Sequence, residues 1–283
     1  MDILSVSFIP STVPSPAVFL VLGSLSALLV SAGKGGFGGS VGLLSTPMMI
    51  YACGGAGSEG AGKLATGIML PLLIACDCVA GVKWWGRWTW RPVALMLPGV
   101  VLGIAVGGVA LDAFRRLEAA GQEKTANAIL MLSIGVIALL FVAIQVWRMT
   151  RKRPPAFRPV LWQGTCFGLA AGVTSTIGHA AGPITAMYLL PQQMPKGRYV
   201  ATTVLYYWIG NALKLGVFIP LGRLDATSFT ASLAFLPAVV AGTLLGIFLH
   251  HRTGKRSFDF IVYGLLLLAR VKLLMDSLPQ LWG

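Results

Sequence analysis

Long apolar runs separated by short polar segments dominate this chain. The runs lie at residues 17–31, 39–53, 64–82, 92–110, 126–148, 161–175, 181–191, 199–219, 229–249 and 257–275. A helix of about 20 apolar residues crosses a bilayer core roughly 30 Å thick, and most of these runs reach or approach that length. The first two runs of each half are shorter and are candidates for re-entrant helices. The pattern predicts an all-α membrane protein with about 8 to 10 transmembrane segments.

Two glycine-rich interruptions occur at corresponding places in the two halves. SAGKGGFGGSVGLLSTP covers residues 31–47, and AAGVTSTIGHAAGP covers residues 170–183. Backbone groups that leave a helix inside a bilayer need other partners, so such interruptions persist only where protein buries them or a polar cavity receives them. The two interruptions therefore predict the position of the functional site.

Further matches indicate an internal duplication. When Pro47 is aligned with Pro183, the pair Ala65–Thr66 falls on the pair Ala201–Thr202. In each half, the interruption is followed by a short apolar run and then by a longer one. The Ala-Thr pair lies near the start of that longer run. Both halves therefore repeat the same order of elements.

The duplication gives two copies of five elements within a single membrane domain covering residues 1–283. The copies span residues 17–148 and 161–275, and residues 149–160 form a basic linker. Because five is odd, the second copy starts from the opposite side of the membrane, so we expect two inverted repeats with broken or re-entrant helices. Secondary transporters often use this plan and bind substrate at the repeat interface.

The distribution of charge predicts the membrane orientation. The chain is 56% hydrophobic and only 11% charged, yet its net charge is +13. Thirteen basic residues and no acidic one lie in the loops at residues 83–91, 148–158, 196–198 and 252–256, whereas the opposite loops hold seven of each sign. The positive-inside rule makes the basic loops cytoplasmic and puts both termini outside, in the cell (inner) membrane. The charge is thus explained by topology, and no nucleic-acid partner is expected.

The first interruption contains candidate anion-binding groups. Glycine backbone N–H groups and the positive end of the following helix suit a small anion, and a lysine there would pair with it. The candidates are Lys34, Gly35, Gly36, Gly38, Gly39 and Ser40. Two alternatives remain: the glycines only permit close packing, or the lysine extends to the membrane interface.

The second interruption offers hydroxyl groups and an imidazole. Its candidates are Thr174, Ser175, Thr176, Gly178 and His179. Hydroxyls donate hydrogen bonds to oxyanions, and an imidazole that titrates near neutral pH would couple transport to protons. The alternative is a histidine that only hydrogen-bonds within the helix bundle.

Three further polar residues lie within apolar runs. Asn211 and Lys214 are one turn apart and are candidates for substrate binding, while Asp77 is a second candidate for proton coupling beside His179. Each charge would instead be structural if it paired elsewhere or reached the interface.

Taken together, these features resemble the TauE/SafE family of sulfite exporters. The resemblance is carried by the duplicated glycine-rich interruption followed by proline, by the two Ala-Thr pairs and by the basic central linker. It covers nearly the whole chain and implies that residues 33–40 and 172–182 are the binding elements. It also implies a secondary transporter for a small sulfur-containing anion such as sulfite, thiosulfate or an organosulfonate, driven by the proton gradient.

Other functional classes are left as alternatives or are not expected. Another small anion such as a carboxylate, or a cation, is the alternative cargo. The four cysteines show no metal-ligand spacing. We expect no enzyme activity, no metal and no cofactor. The partners expected are the small anion, the lipid bilayer and protons, and the oligomeric state is left open.

Overall fold

A computed structural model of the protein describes residues 8–39, 42–55, 58, 60–122 and 159–253. In these ranges the chain forms helices and no β-strand, which confirms the all-α class for them. The α-helices are α1 (Pro16–Phe37), α2 (Gly42–Ala52), α3 (Ala61–Trp84), α4 (Trp90–Ala119), α5 (Leu161–Gly178), α6 (Ala181–Leu189), α7 (Lys196–Phe218), α8 (Ala226–Leu233) and α9 (Leu236–Arg252). The runs predicted at 126–148 and 257–275, and nearly all of the linker, lie outside the described residues.

Three of these helices are long and apolar enough to cross a membrane. They are α1, α3 and the segment Trp90–Leu117 of α4. Helices α8 and α9 meet at a bend of 56° and together supply a fourth candidate span. The described residues thus support three or four of the eight to ten predicted segments, and the higher number stays a prediction.

Capping residues account for several helix ends. Ser15 accepts a hydrogen bond from the Val18 N–H at the start of α1, where Pro16 takes a first-turn position. Asp225 and Ser228 form a reciprocal capping box at the start of α8. Gly38 ends α1 in the left-handed conformation, with φ of 70°, which costs glycine no Cβ clash.

The two interruptions are shorter than the sequence indicated. The apolar runs were expected to end at residues 31 and 175, but α1 continues to Phe37 and α5 continues to Gly178. The chain leaves the helix at Gly38 and Gly39 in the first interruption and at His179, with φ of 54°, in the second. Helical glycine costs up to about 1 kcal/mol relative to alanine, and packing against a neighbouring helix offsets this cost.

Close helix contacts repeat between the two halves. Helix α1 packs along α9, where Gly36 lies on the backbone of Gly246, and α4 packs along α5, where Gly103 lies on the backbone of Gly172. Each of these pairs joins the first helix of one half to the fourth predicted element of the other. Helices α3 and α7, the third elements, contact each other.

The α3–α4 loop, the start of α7 and the end of α9 lie together at one end of the described helices. The Thr89 N–H donates to Thr202 Oγ1 at 3.0 Å, which joins the α3–α4 loop to the beginning of α7. Lys196 Nζ donates to the carbonyl oxygens of His250 and Thr253 at 2.8 and 2.6 Å, which brings in the end of α9. Which side of the membrane this end faces stays a prediction.

The close approach of α4 and α5 predicts an asymmetric response to two glycine-to-alanine changes. A Cβ at Gly168 would overlap the carbonyl oxygen of Met96, so Gly168→Ala should destabilise the protein by about 1–3 kcal/mol. Gly81 in α3 has open space beside it, so Gly81→Ala should be neutral or stabilising. Thermal unfolding in detergent measures both, and equal melting temperatures would contradict the packing described.

Candidate functional site

The two interruptions are joined by a hydrogen bond. Thr46 lies in α2, the short helix that follows the first interruption, and its Oγ1 donates to the Gly178 carbonyl oxygen at 2.9 Å. Gly178 is the last residue of α5, so its carbonyl has no partner within its own helix. Thr46 therefore satisfies a buried backbone group in the second interruption from the element that follows the first.

A buried ion pair connects α1, α3 and α7. Lys34 Nζ lies 2.5 Å from Asp77 Oδ1, and the two side chains are 4% and 0% exposed. The second carboxylate oxygen of Asp77 accepts a hydrogen bond from Asn211 Nδ2 at 2.6 Å. Lys34 also donates to the Leu73 carbonyl oxygen at 3.4 Å and lies 4.9 Å from the centre of the Tyr207 ring. The charge of Lys34 is thus compensated by Asp77.

A second buried lysine has a different set of partners. Lys214 is 1% exposed, and its Nζ lies 3.1 Å from Ser175 Oγ, 3.3 Å from the Ser175 carbonyl oxygen and 3.0 Å from His179 Nδ1. Within the part of the chain that the structure describes, no carboxylate lies within ion-pair distance of this ammonium. Among the described residues, the hydrogen-bond partners of Lys214 are therefore neutral groups.

Hydrogen bonding identifies the protonated nitrogen of His179. Its Nε2 lies 3.1 Å from the Thr66 carbonyl oxygen, which only accepts, so Nε2 carries the proton. Its Nδ1 faces the Lys214 ammonium, which only donates, so Nδ1 has the free lone pair. This assignment, inferred from partners, makes the imidazole neutral and links α3 to the second interruption.

A small cavity lies beside these groups, between α4, α5 and α7. Ser175, Asn211, Tyr206 and Tyr207 contribute to its lining, together with apolar residues of α4. Its volume of about 10 Å³ is close to the minimum for one water molecule. A sulfur oxyanion is larger than this space.

Comparison with known proteins supplies the context for this geometry. The sequence profile described as sulfite exporter TauE/SafE matches residues 22–273, which is most of the chain. The chain belongs to the TauE/SafE family. No curated protein and no solved structure matches it significantly. Membership makes this protein a membrane transporter and not an enzyme.

Not every residue proposed from the sequence of this TauE/SafE protein lies with the lysines. Thr174 and Thr176 use their hydroxyls to donate to carbonyl oxygens one turn earlier in α5. Gly38 and Gly39 lie against the rings of Tyr199 and Tyr207. Ser40 lies outside the described residues. The structure brings together Lys34, Asp77, Ser175, His179, Asn211 and Lys214.

Gly35 and Gly36 have structural partners at the end of α1. Their carbonyl oxygens accept hydrogen bonds from Trp84 Nε1 and His250 Nδ1, each at 2.9 Å, and their Cα atoms lie on α9. These two donors, Trp84 and His250, were not identified from the sequence. The role of Thr66 was also missed, although its Ala-Thr pair had been recognised as duplicated.

The ion pair predicts a strong effect of neutralising Asp77. Asp77→Asn leaves the Lys34 ammonium buried without a counter-ion and should destabilise the protein by about 3–5 kcal/mol. The double variant Lys34→Met/Asp77→Asn removes both charges and should recover most of the loss. Asp112 pairs with exposed Arg115 and Arg116, so Asp112→Asn is the matched control and should have little effect. Additive losses in the double variant, measured by thermal unfolding, would contradict this account.

Proposed function

We propose that this TauE/SafE protein carries a small sulfur-containing anion across the cell membrane, coupled to protons and by alternating access. Sulfite, thiosulfate and an organosulfonate such as sulfoacetate are the candidate substrates. The observation that carries the proposal is the buried Lys214 ammonium, which has neutral partners only in the described part of the chain. A buried charge is stable when it is paired, and a bound anion would supply the partner.

The charge count of the cluster supports an anion over a cation. Lys34 and Lys214 contribute two positive charges, Asp77 contributes one negative charge, and His179 is neutral, which leaves one net positive charge. This excess positive charge would repel a cation. The acidic group that a cation would need, Asp77, is already bound by Lys34 and Asn211. The amide of Asn211 and the hydroxyl of Ser175 line the adjacent cavity and would donate to oxyanion oxygens.

Protonation of Asp77 gives a route to coupling. A neutral Asp77 would no longer attract Lys34, so two lysine charges would become available to the substrate. Fully ionised sulfite, thiosulfate and sulfoacetate each carry two negative charges and would balance both lysines. Release of the proton would restore the Lys34–Asp77 pair and weaken substrate binding. We favour Asp77 over His179 as the proton carrier, because a second proton on His179 would face the Lys214 ammonium.

The packing of the two halves supports alternating access. The pairs α1–α9 and α4–α5 are tightly packed through small residues, and each pair contains one helix from each half. Such pairs would move as rigid units around α3 and α7, which carry Asp77, Asn211 and Lys214. Inverted repeats that rock about a fixed central site produce this kind of motion.

Ligand-dependent stabilisation tests the role of Lys214. Purified wild-type protein should be stabilised by sulfite, thiosulfate or sulfoacetate in a thermal-shift screen that includes taurine, sulfate and carboxylates. Lys214→Met should weaken that binding by roughly 30-fold or more, because the main charge partner is lost. Lys83→Met, an exposed lysine at the end of α3, is the control and should bind like wild type. If a carboxylate stabilises best, the sulfur assignment is wrong, and unchanged binding by Lys214→Met removes the proposed site.

Proteoliposome uptake tests the role of Asp77. Wild-type protein should accumulate labelled substrate when a proton gradient is imposed. Asp77→Asn should exchange substrate across the membrane but should lose accumulation driven by the gradient, because its side chain no longer titrates. Asp77→Glu keeps a titratable group and should retain coupling. Gradient-driven accumulation by a correctly folded Asp77→Asn protein would refute the assignment.

A further inference from the structure

An open pocket is lined by residues that take no part in the lysine cluster. It has a volume of about 670 Å³, which is within the usual size range of ligand pockets. One wall is the α3–α4 loop with Arg87 and Trp88, together with Trp90 at the start of α4, and the other is the start of α7 with Arg198. The pocket therefore combines two guanidinium groups with two indole rings.

The α3–α4 loop holds its wall of the pocket in a defined position. Gly86 adopts φ of 70°, and the Arg87 N–H donates to the Trp84 carbonyl oxygen at 3.2 Å, which makes a tight turn. Trp88 packs edge-on against Trp90, with ring centres 6.2 Å apart. The hydrogen bond from the Thr89 N–H to α7 fixes the loop against the opposite wall. These contacts prearrange the aromatic and basic groups.

The chemistry of the pocket suits a phosphate group attached to an apolar body. Arg87 and Arg198 are both exposed, and in the described residues neither pairs with a carboxylate. Arginine binds phosphate oxygens through two parallel N–H groups. Trp90 is 56% exposed, and tryptophan concentrates at the level of lipid headgroups. A lipid satisfies both the charged and the apolar parts of this surface, whereas free phosphate satisfies only the first.

We propose that the pocket between the α3–α4 loop and the start of α7 binds the phosphate headgroup of an anionic phospholipid. Arg87 and Arg198 hold the phosphate, and Trp88 and Trp90 lie against the glycerol and the upper acyl chain. Basic pockets between membrane helices are known positions for such headgroups. Both loops belong to the basic set, so the lipid would come from the leaflet predicted to be cytoplasmic. This site is independent of the transported anion.

Native mass spectrometry of the purified full-length protein tests the site. Phosphatidylglycerol, phosphatidylcholine and inorganic phosphate are titrated separately, and bound fractions and melting temperatures are recorded. Wild-type protein should bind phosphatidylglycerol best and be stabilised by it, with no comparable effect of inorganic phosphate. Arg87→Ala/Arg198→Ala should weaken binding of this lipid at least about tenfold, because charge-assisted hydrogen bonds are lost. Arg198→Ala alone should cause a smaller loss of phosphatidylglycerol binding. This single variant tests the site if the double variant folds poorly.

A matched control is available at the other end of α4. Arg115→Ala/Arg116→Ala also removes two positive charges, roughly 38 Å along the helix from Trp90, and should bind phosphatidylglycerol like wild type. If both double variants lose phosphatidylglycerol binding equally, the proposal is overturned, because the lipid would then respond only to the net charge of the protein. Equal stabilisation by inorganic phosphate and by the lipid would overturn the assignment to a lipid.

Discussion

A low-dielectric interior tolerates a charged group only when that group has a partner, and this constraint organises the centre of the protein. Lys34, Asp77 and Asn211 come from three helices, so the ion pair and its amide hold α1, α3 and α7 in one relative position. Lys214 extends the same cluster to the second interruption through Ser175 and His179. The polar side chains of these helices are one another's partners, so their contacts define the candidate site.

Small residues make this arrangement of charges possible. Helices α1 and α4 each approach a helix of the opposite half so closely that a single added carbon would overlap backbone atoms. In a bilayer, an apolar helix surface gains little hydrophobic free energy by leaving lipid for another helix. Helix association must therefore come from close van der Waals packing. The α1–α9 and α4–α5 pairs are consequently in close contact, while Asp77, Asn211 and Lys214 lie on α3 and α7, which contact each other.

The sequence identified the polar groups but not their pairing. Asp77, Lys34, Asn211 and Lys214 stand out because charged and amide side chains are rare in apolar runs. Which of them pair depends on the rotation and axial position of one helix relative to another, and neither is encoded in the period of an apolar run. The extent of the interruptions was misjudged for a related reason. Gly36 favours a break locally, but its contact with Gly246 keeps α1 helical.

An empty site with one net positive charge responds to the membrane potential. Moving one elementary charge through 100 mV changes the free energy by about 2.3 kcal/mol. In the transport cycle proposed above, a proton and a dianion together would cancel the charge of the site, so the voltage would act on the unloaded protein and hardly on the loaded one. An interior-negative potential would then draw the unloaded site toward the cytoplasm, and the electrical gradient would favour outward movement of the anion over its uptake.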